Sequence, residues 1–81
     1  MNQVEIISEA VLFVSGQIEL PPEKVDVKKD LKSMGLDSFR IIELVLFLER
    51  RSGISFPDYA YTPENLKSLD AIVSCLMKTV W

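Results

Sequence analysis

Apolar residues recur along this chain at helical spacings, and alternation at strand period is nowhere sustained. In the first segment Val4, Ile7, Val11, Val14 and Ile18 fall three and four apart, while Ile6, Ala10 and Phe13 widen the stripe. Asn2 and Glu5 have the spacing of a capping box, and Gly16 followed by Pro21-Pro22 breaks the pattern. A first helix is expected over residues 3–16. A second starts with Asp37 as N-cap and runs to Arg51, with Gly53 as its terminator. Ile41, Leu44, Val45 and Leu48 give it a core face, whereas Ile42, Leu46 and Phe47 make it apolar over more of its girth than a surface helix needs. Thr62 as N-cap ahead of Pro63 signals a short third helix. Ser68 caps a fourth, with Leu69, Ile72, Val73, Leu76 and Val80 along one side.

The fold expected is all-α: a small four-helix bundle of three long helices and one short, forming one domain over residues 1–81. Residues 17–36 make a long connection, and Val25, Val27, Leu31, Met34 and Leu36 are the side chains available to pin it to the core. Its lysines, Lys24, Lys28, Lys29 and Lys32, alternate with Glu23, Asp26 and Asp30, the pattern of a solvated mixed-charge loop rather than of an anion site.

Composition narrows the chemistry. There is no histidine and only one cysteine, Cys75, which removes the usual general base, the usual zinc ligand, any internal disulfide and every Ser-His or Cys-His pairing. The chain therefore reads as a non-enzyme without a metal site, and Cys75 as a small core or boundary residue. No apolar run has the length of a membrane span, and the first residues lack a basic leader, so a cytoplasmic monomer is expected. A net charge of −3 argues against nucleic acid as a partner.

One stretch carries candidate chemistry. Gly35-Leu36-Asp37-Ser38-Phe39 places a serine hydroxyl where a loop becomes a helix, and a helix start offers unpaired N–H groups and positive dipole character to a phosphate. Aspartate and serine are also ordinary helix caps, so the bland reading is that Asp37-Ser38 only caps. Context separates the two. Asp30-Leu31, Met34-Gly35-Leu36-Asp37-Ser38, Glu43-Leu44-Val45, Leu48-Glu49, Phe56-Pro57-Asp58, Leu66 and Ser68-Leu69-Asp70-Ala71 together resemble the acyl carrier protein family over nearly the whole chain.

That resemblance implies a 4′-phosphopantetheine arm on Ser38, installed from coenzyme A by a phosphopantetheinyl transferase and carrying acyl or aminoacyl groups as thioesters. It implies an acyl- or aminoacyl-loading ligase and downstream acyl-processing enzymes as partners. Asp37 is then expected to position the serine, and Ile42, one turn beyond it, to touch the arm. Phe39, Arg40, Glu43, Leu46 and Glu49 are expected to meet partners, with Phe47 equally suited to core or interface. The bundle is expected to open between its second and third helices to admit an apolar chain. Tyr59 and Tyr61 either pack a loop, the favoured reading, or cover the mouth of that opening. Trp81 is either frayed or docked on the first helix.

The chain departs from the general fatty-acid carriers in reading Asp-Ser-Phe and in placing Arg40, Arg50 and Arg51 on the second helix against Glu43 and Glu49. A specialised carrier with a dedicated pathway fits this better, since Asp-Ser-Phe also occurs in D-alanyl carriers and some stand-alone aminoacyl carriers. Two alternatives remain: a cofactor-free helical protein-interaction domain, and a small helix-turn-helix DNA binder. The second would depend on those three arginines for its basic face.

Overall fold

The computed structural model describes residues 2–78, so Val80 and Trp81 lie outside the described residues. These form three α-helices and no strand: α1 (Gln3–Ile18), α2 (Ser38–Ser52) and α3 (Leu69–Lys78). Short 3-10 turns occur at Pro22–Lys24 and Asp58–Ala60. α1 packs against both α2 and α3, which make few close approaches to each other. The space between α2 and α3 is bridged by the segment that joins them.

α1 opens on the expected capping box: Glu5 N–H donates to Asn2 Oδ1 at 2.9 Å and Asn2 N–H to Glu5 Oε1 at 3.0 Å. It does not stop at Gly16 but runs to Ile18, and Glu19 takes the left-handed conformation at φ 56°. Gly16 lowers helix propensity by only about 1 kcal/mol, which packing overrides. Pro21 cannot be overridden, because it lacks the N–H and clashes with the turn before it. The core stripe of α1 is Ile6, Ala10 and Val14, all fully buried, whereas Val4 is 73% exposed. Ile7, Val11 and Phe13 are half-buried beside that stripe.

The long connection is pinned as its apolar positions suggest, with Val25, Leu31 and Leu36 buried and Val27 and Met34 packed against the core. Two backbone bonds fasten it to the start of α3. Leu31 N–H donates to the Lys67 carbonyl at 2.8 Å, and Asp70 N–H donates to the Val27 carbonyl at 2.9 Å. Gly35, at φ 103°, turns the chain into α2 through a conformation that side chains with a Cβ rarely adopt.

The short third helix is absent. Residues 62–66 make a single turn, with Leu66 N–H donating to the Thr62 carbonyl at 3.1 Å and Asn65 N–H to Thr62 Oγ1 at 3.3 Å. Thr62 does cap, but the turn it caps is never extended. With so few residues before Ser68 begins α3, nucleation is not repaid by further helical bonds. The described residues thus form a three-helix arrangement with a structured crossover in place of the short third helix, and the expected fourth helix is α3.

α2 ends at Gly53, left-handed at φ 73°, whose N–H donates to the Glu49 carbonyl at 2.9 Å. Against α1, Phe47 stacks on Phe13 with ring centroids 4.6 Å apart, which places Phe47 in the packing between the two helices. Arg51 reaches back to α1 and donates to Glu9 Oε1 through Nε at 3.0 Å and through Nη2. Ser68 Oγ accepts the Ala71 N–H at 3.1 Å, the cap expected for α3. Cys75 is a partly buried free thiol packed against the core.

Candidate functional site

Asp37 and Ser38 divide the work of the helix start. Asp37 is extended at φ −86° and ψ 177°, and its Oδ1 accepts the Arg40 N–H at 2.8 Å. Its own carbonyl accepts the Ile41 N–H at 3.0 Å. Asp37 is therefore the whole cap. Ser38 is the first helical residue, exposed, and its hydroxyl takes no part in capping. Among the described residues the N–H groups of Ser38 and Phe39 have no hydrogen-bond partner, as the first turn of a helix leaves them. A phosphodiester on Ser38 Oγ fits this setting, because unbonded N–H groups at a positive dipole end favour negative charge. Asp37→Ala is expected to lower stability by about 1 kcal/mol through loss of the cap, read by urea denaturation.

Ser38 opens onto a groove of about 560 Å³ between the start of α2 and residues 61–67. Ile41, Ile42 and Leu66 supply apolar lining; Tyr61, Thr62 and Pro63 form the opposite wall; and Asp30, Lys32, Glu64 and Lys67 bring charge. Tyr61 both lines this groove and packs edge-on against Phe56, with ring centroids 5.0 Å apart. Burial pushes its phenol above the ordinary value of 10.0, and the carboxylates of Glu49 and Asp58 push it further. Tyr59, by contrast, is 85% exposed and does not line the groove.

Of the residues singled out from sequence, Ser38 and Ile42 meet in this groove, with Ile42 37% exposed. Phe39, at 71% exposure, Arg40, Glu43 and Leu46 spread along the outside of α2 instead. Glu49 turns inward: its Oε2 accepts the Phe56 N–H and fixes the chain just after α2. Much of the groove's far wall, Thr62 to Leu66, is the segment the sequence marks as the short third helix, beside which an opening is expected, whereas the sequence assigns Asp30 and Lys32 only to a solvated mixed-charge loop. They are brought to Ser38 by bonds such as that between Leu31 and Lys67, which leave no local periodic signal.

The sequence is similar to those of known carrier proteins. Residues 13–76 match the phosphopantetheine attachment site family. The chain is 32% identical over 84 residues to an acyl carrier protein of Thermosynechococcus vestitus, covering 99% of this chain and 98% of that protein. It is 34% identical over 56 residues to an acyl carrier protein of Campylobacter hominis, covering 68% and 71% of the two chains. An aminoacyl carrier protein of Agrobacterium fabrum is 32% identical over 62 residues, covering 76% and 75%. The chain belongs to the phosphopantetheine attachment site family of carrier proteins, whose cofactor is a covalently bound 4′-phosphopantetheine arm.

Proposed function

We propose that this protein tethers acyl or aminoacyl groups as thioesters on an arm attached to Ser38 Oγ and presents them to partner enzymes. One observation carries the reading most directly: Ser38 is exposed at the head of α2, free of the capping duty that Asp37 performs, and borders the apolar groove. The arm, when bound, supplies a terminal thiol, which no residue near Ser38 offers. The chain's own residues attach it, favour its phosphate at the helix start, and give the groove lined by Ile41, Ile42 and Leu66 as a resting place for apolar groups. The protein performs no catalysis itself. It works as a cytoplasmic monomer, a single carrier domain that a transferase modifies, a ligase loads and acyl-processing enzymes unload.

Among the described residues no helix is long and apolar enough to cross a membrane. The rival reading, an interaction domain in which Asp37-Ser38 only caps, loses support because the cap is complete without the serine.

Incubation with coenzyme A and a broad-specificity phosphopantetheinyl transferase tests the proposal. Intact mass is expected to rise by one arm, and fragmentation to place it on Ser38. A folded protein that gains no mass would return the interaction domain to first place.

A further inference from the structure

One wall of the groove beside Ser38 is both aromatic and polar. Tyr61 lines it, together with Ile41 and Ile42 of α2. The Tyr61 ring is anchored edge-on against buried Phe56, whose own N–H is bonded to the Glu49 carboxylate. Its backbone is anchored as well, the Tyr61 N–H donating to the Asp58 carbonyl at 3.2 Å. A tyrosine has few rotatable bonds, so ring and hydroxyl are both well placed before anything enters the groove.

Among the described residues the Tyr61 hydroxyl has no hydrogen-bond partner. Glu49 and Asp58 lie close enough to oppose its ionisation, yet neither accepts its O–H. Burial and these two carboxylates keep the phenol neutral, and a neutral phenol donates. A partly buried hydroxyl has lost some of its hydration, and an arriving acceptor restores that loss. The other donors round the groove are less suited to fixing a neutral group. Lys32 and Lys67 are exposed, strongly hydrated ammoniums on flexible stems. Thr62 Oγ1 already accepts the Asn65 N–H, and Ser38 Oγ is the attachment atom.

We infer that the Tyr61 hydroxyl donates a hydrogen bond to a carbonyl oxygen of the arm carried by Ser38, and so positions the arm in the groove. The inference rests on the carrier reading above and adds a positioning residue to it. The arm offers carbonyl acceptors at its amides and, when loaded, at its thioester. A neutral donor on a neutral acceptor is worth little net, so the arm is held between partners and released to them without a large penalty.

The test uses arm-bearing protein with isotope-labelled amide carbonyls, and a second sample loaded with acetyl labelled at its thioester carbonyl. Intact mass first establishes one arm on Ser38; its absence would overturn the carrier reading and the inference together. In wild type one carbonyl is expected to resonate away from its value in free coenzyme A or acetyl coenzyme A. Tyr61→Phe keeps a ring against Phe56 and removes only the hydroxyl. That resonance should then return to the free value while the amide pattern stays native. The ratio of docked to free arm, read from proton contacts between the arm and Ile42, should fall about fivefold. Tyr59→Phe alters a ring that is 85% exposed and off the groove, and should change neither readout. A response at the amides in both samples assigns the acceptor to the arm itself, and a response at the acetyl carbonyl alone assigns it to the thioester. Exchange of the wild-type Tyr61 hydroxyl proton with water gives a readout that needs no variant: it should slow once the arm is attached. Carbonyls at their free values in wild type, equal shifts in wild type and Tyr61→Phe, or hydroxyl exchange unchanged by the arm would each overturn the inference. Tyr61 would then be a packing residue only, in a carrier whose arm is nonetheless in place.

Discussion

Ser38→Ala is expected to abolish covalent loading completely while leaving the protein folded. The two consequences come from different atoms. Loading needs the Ser38 hydroxyl, and alanine has none. Helix initiation needs the Asp37 carboxylate, whose 2.8 Å bond to the Arg40 N–H the substitution does not touch. Ser38 lies one residue inside the helix, where alanine is the best helix former. The change in unfolding free energy should therefore stay within about 0.5 kcal/mol. Intact mass after incubation with coenzyme A and transferase checks the first consequence, and urea denaturation checks the second. Asp37→Ala gives the complementary result, a stability loss without removal of the acceptor hydroxyl. An arm still added to Ser38→Ala would move attachment to another hydroxyl, and a stability loss of 1 kcal/mol or more would make Ser38 part of the cap after all.

This separation of roles was only half legible in the sequence. The Gly-Leu-Asp-Ser stretch before an apolar helix pointed to both the chemistry and the cap. That Asp37 alone caps is a matter of side-chain geometry, because serine and aspartate are equally good at the task. The starts of α1, α2 and α3 were readable from capping residues and helical spacing. Which stripe of α1 faces inward was not. Val4 and Ile6 are equally apolar, and only the placement of α2 and α3 around α1 buries one and exposes the other. Glu49 gave a similar ambiguity: on an isolated helix it is one more surface carboxylate, and its bond to the Phe56 N–H exists only because the chain folds back after Gly53. The turn at Thr62 carried true capping signals that local rules could not weigh against its brevity. Non-local contacts decided each of these cases, which is why they also decided the shape of the groove.

The same reasoning makes Leu31→Ala the substitution with the largest expected structural effect. Leu31 lies in a loop, where most changes are tolerated, yet its side chain is fully buried. Its N–H bonds to the Lys67 carbonyl, and its carbonyl accepts from both Leu36 and Met34. Removing a buried leucine side chain costs about 2–5 kcal/mol through lost transfer energy and the cavity left behind. A domain of this length has roughly 4–12 kcal/mol in total, at about 0.05–0.15 kcal/mol per residue. A large share of the stability should therefore disappear on urea denaturation, whereas Lys29→Ala in the same loop should change it by no more than about 0.5 kcal/mol. The loss should also reach the site. Asp30 and Lys32, on either side of Leu31, line the groove beside Ser38, and Lys67 on its far wall is tied to Leu31 by the backbone. Amide exchange at Leu31 and Asp70, whose N–H groups bridge loop and α3, is expected to accelerate in Leu31→Ala even where the variant remains mostly folded. Unchanged exchange at these two amides, with stability lost uniformly elsewhere, would mean that the loop is held by Val25 and Leu36 and that Leu31 contributes only bulk to the core.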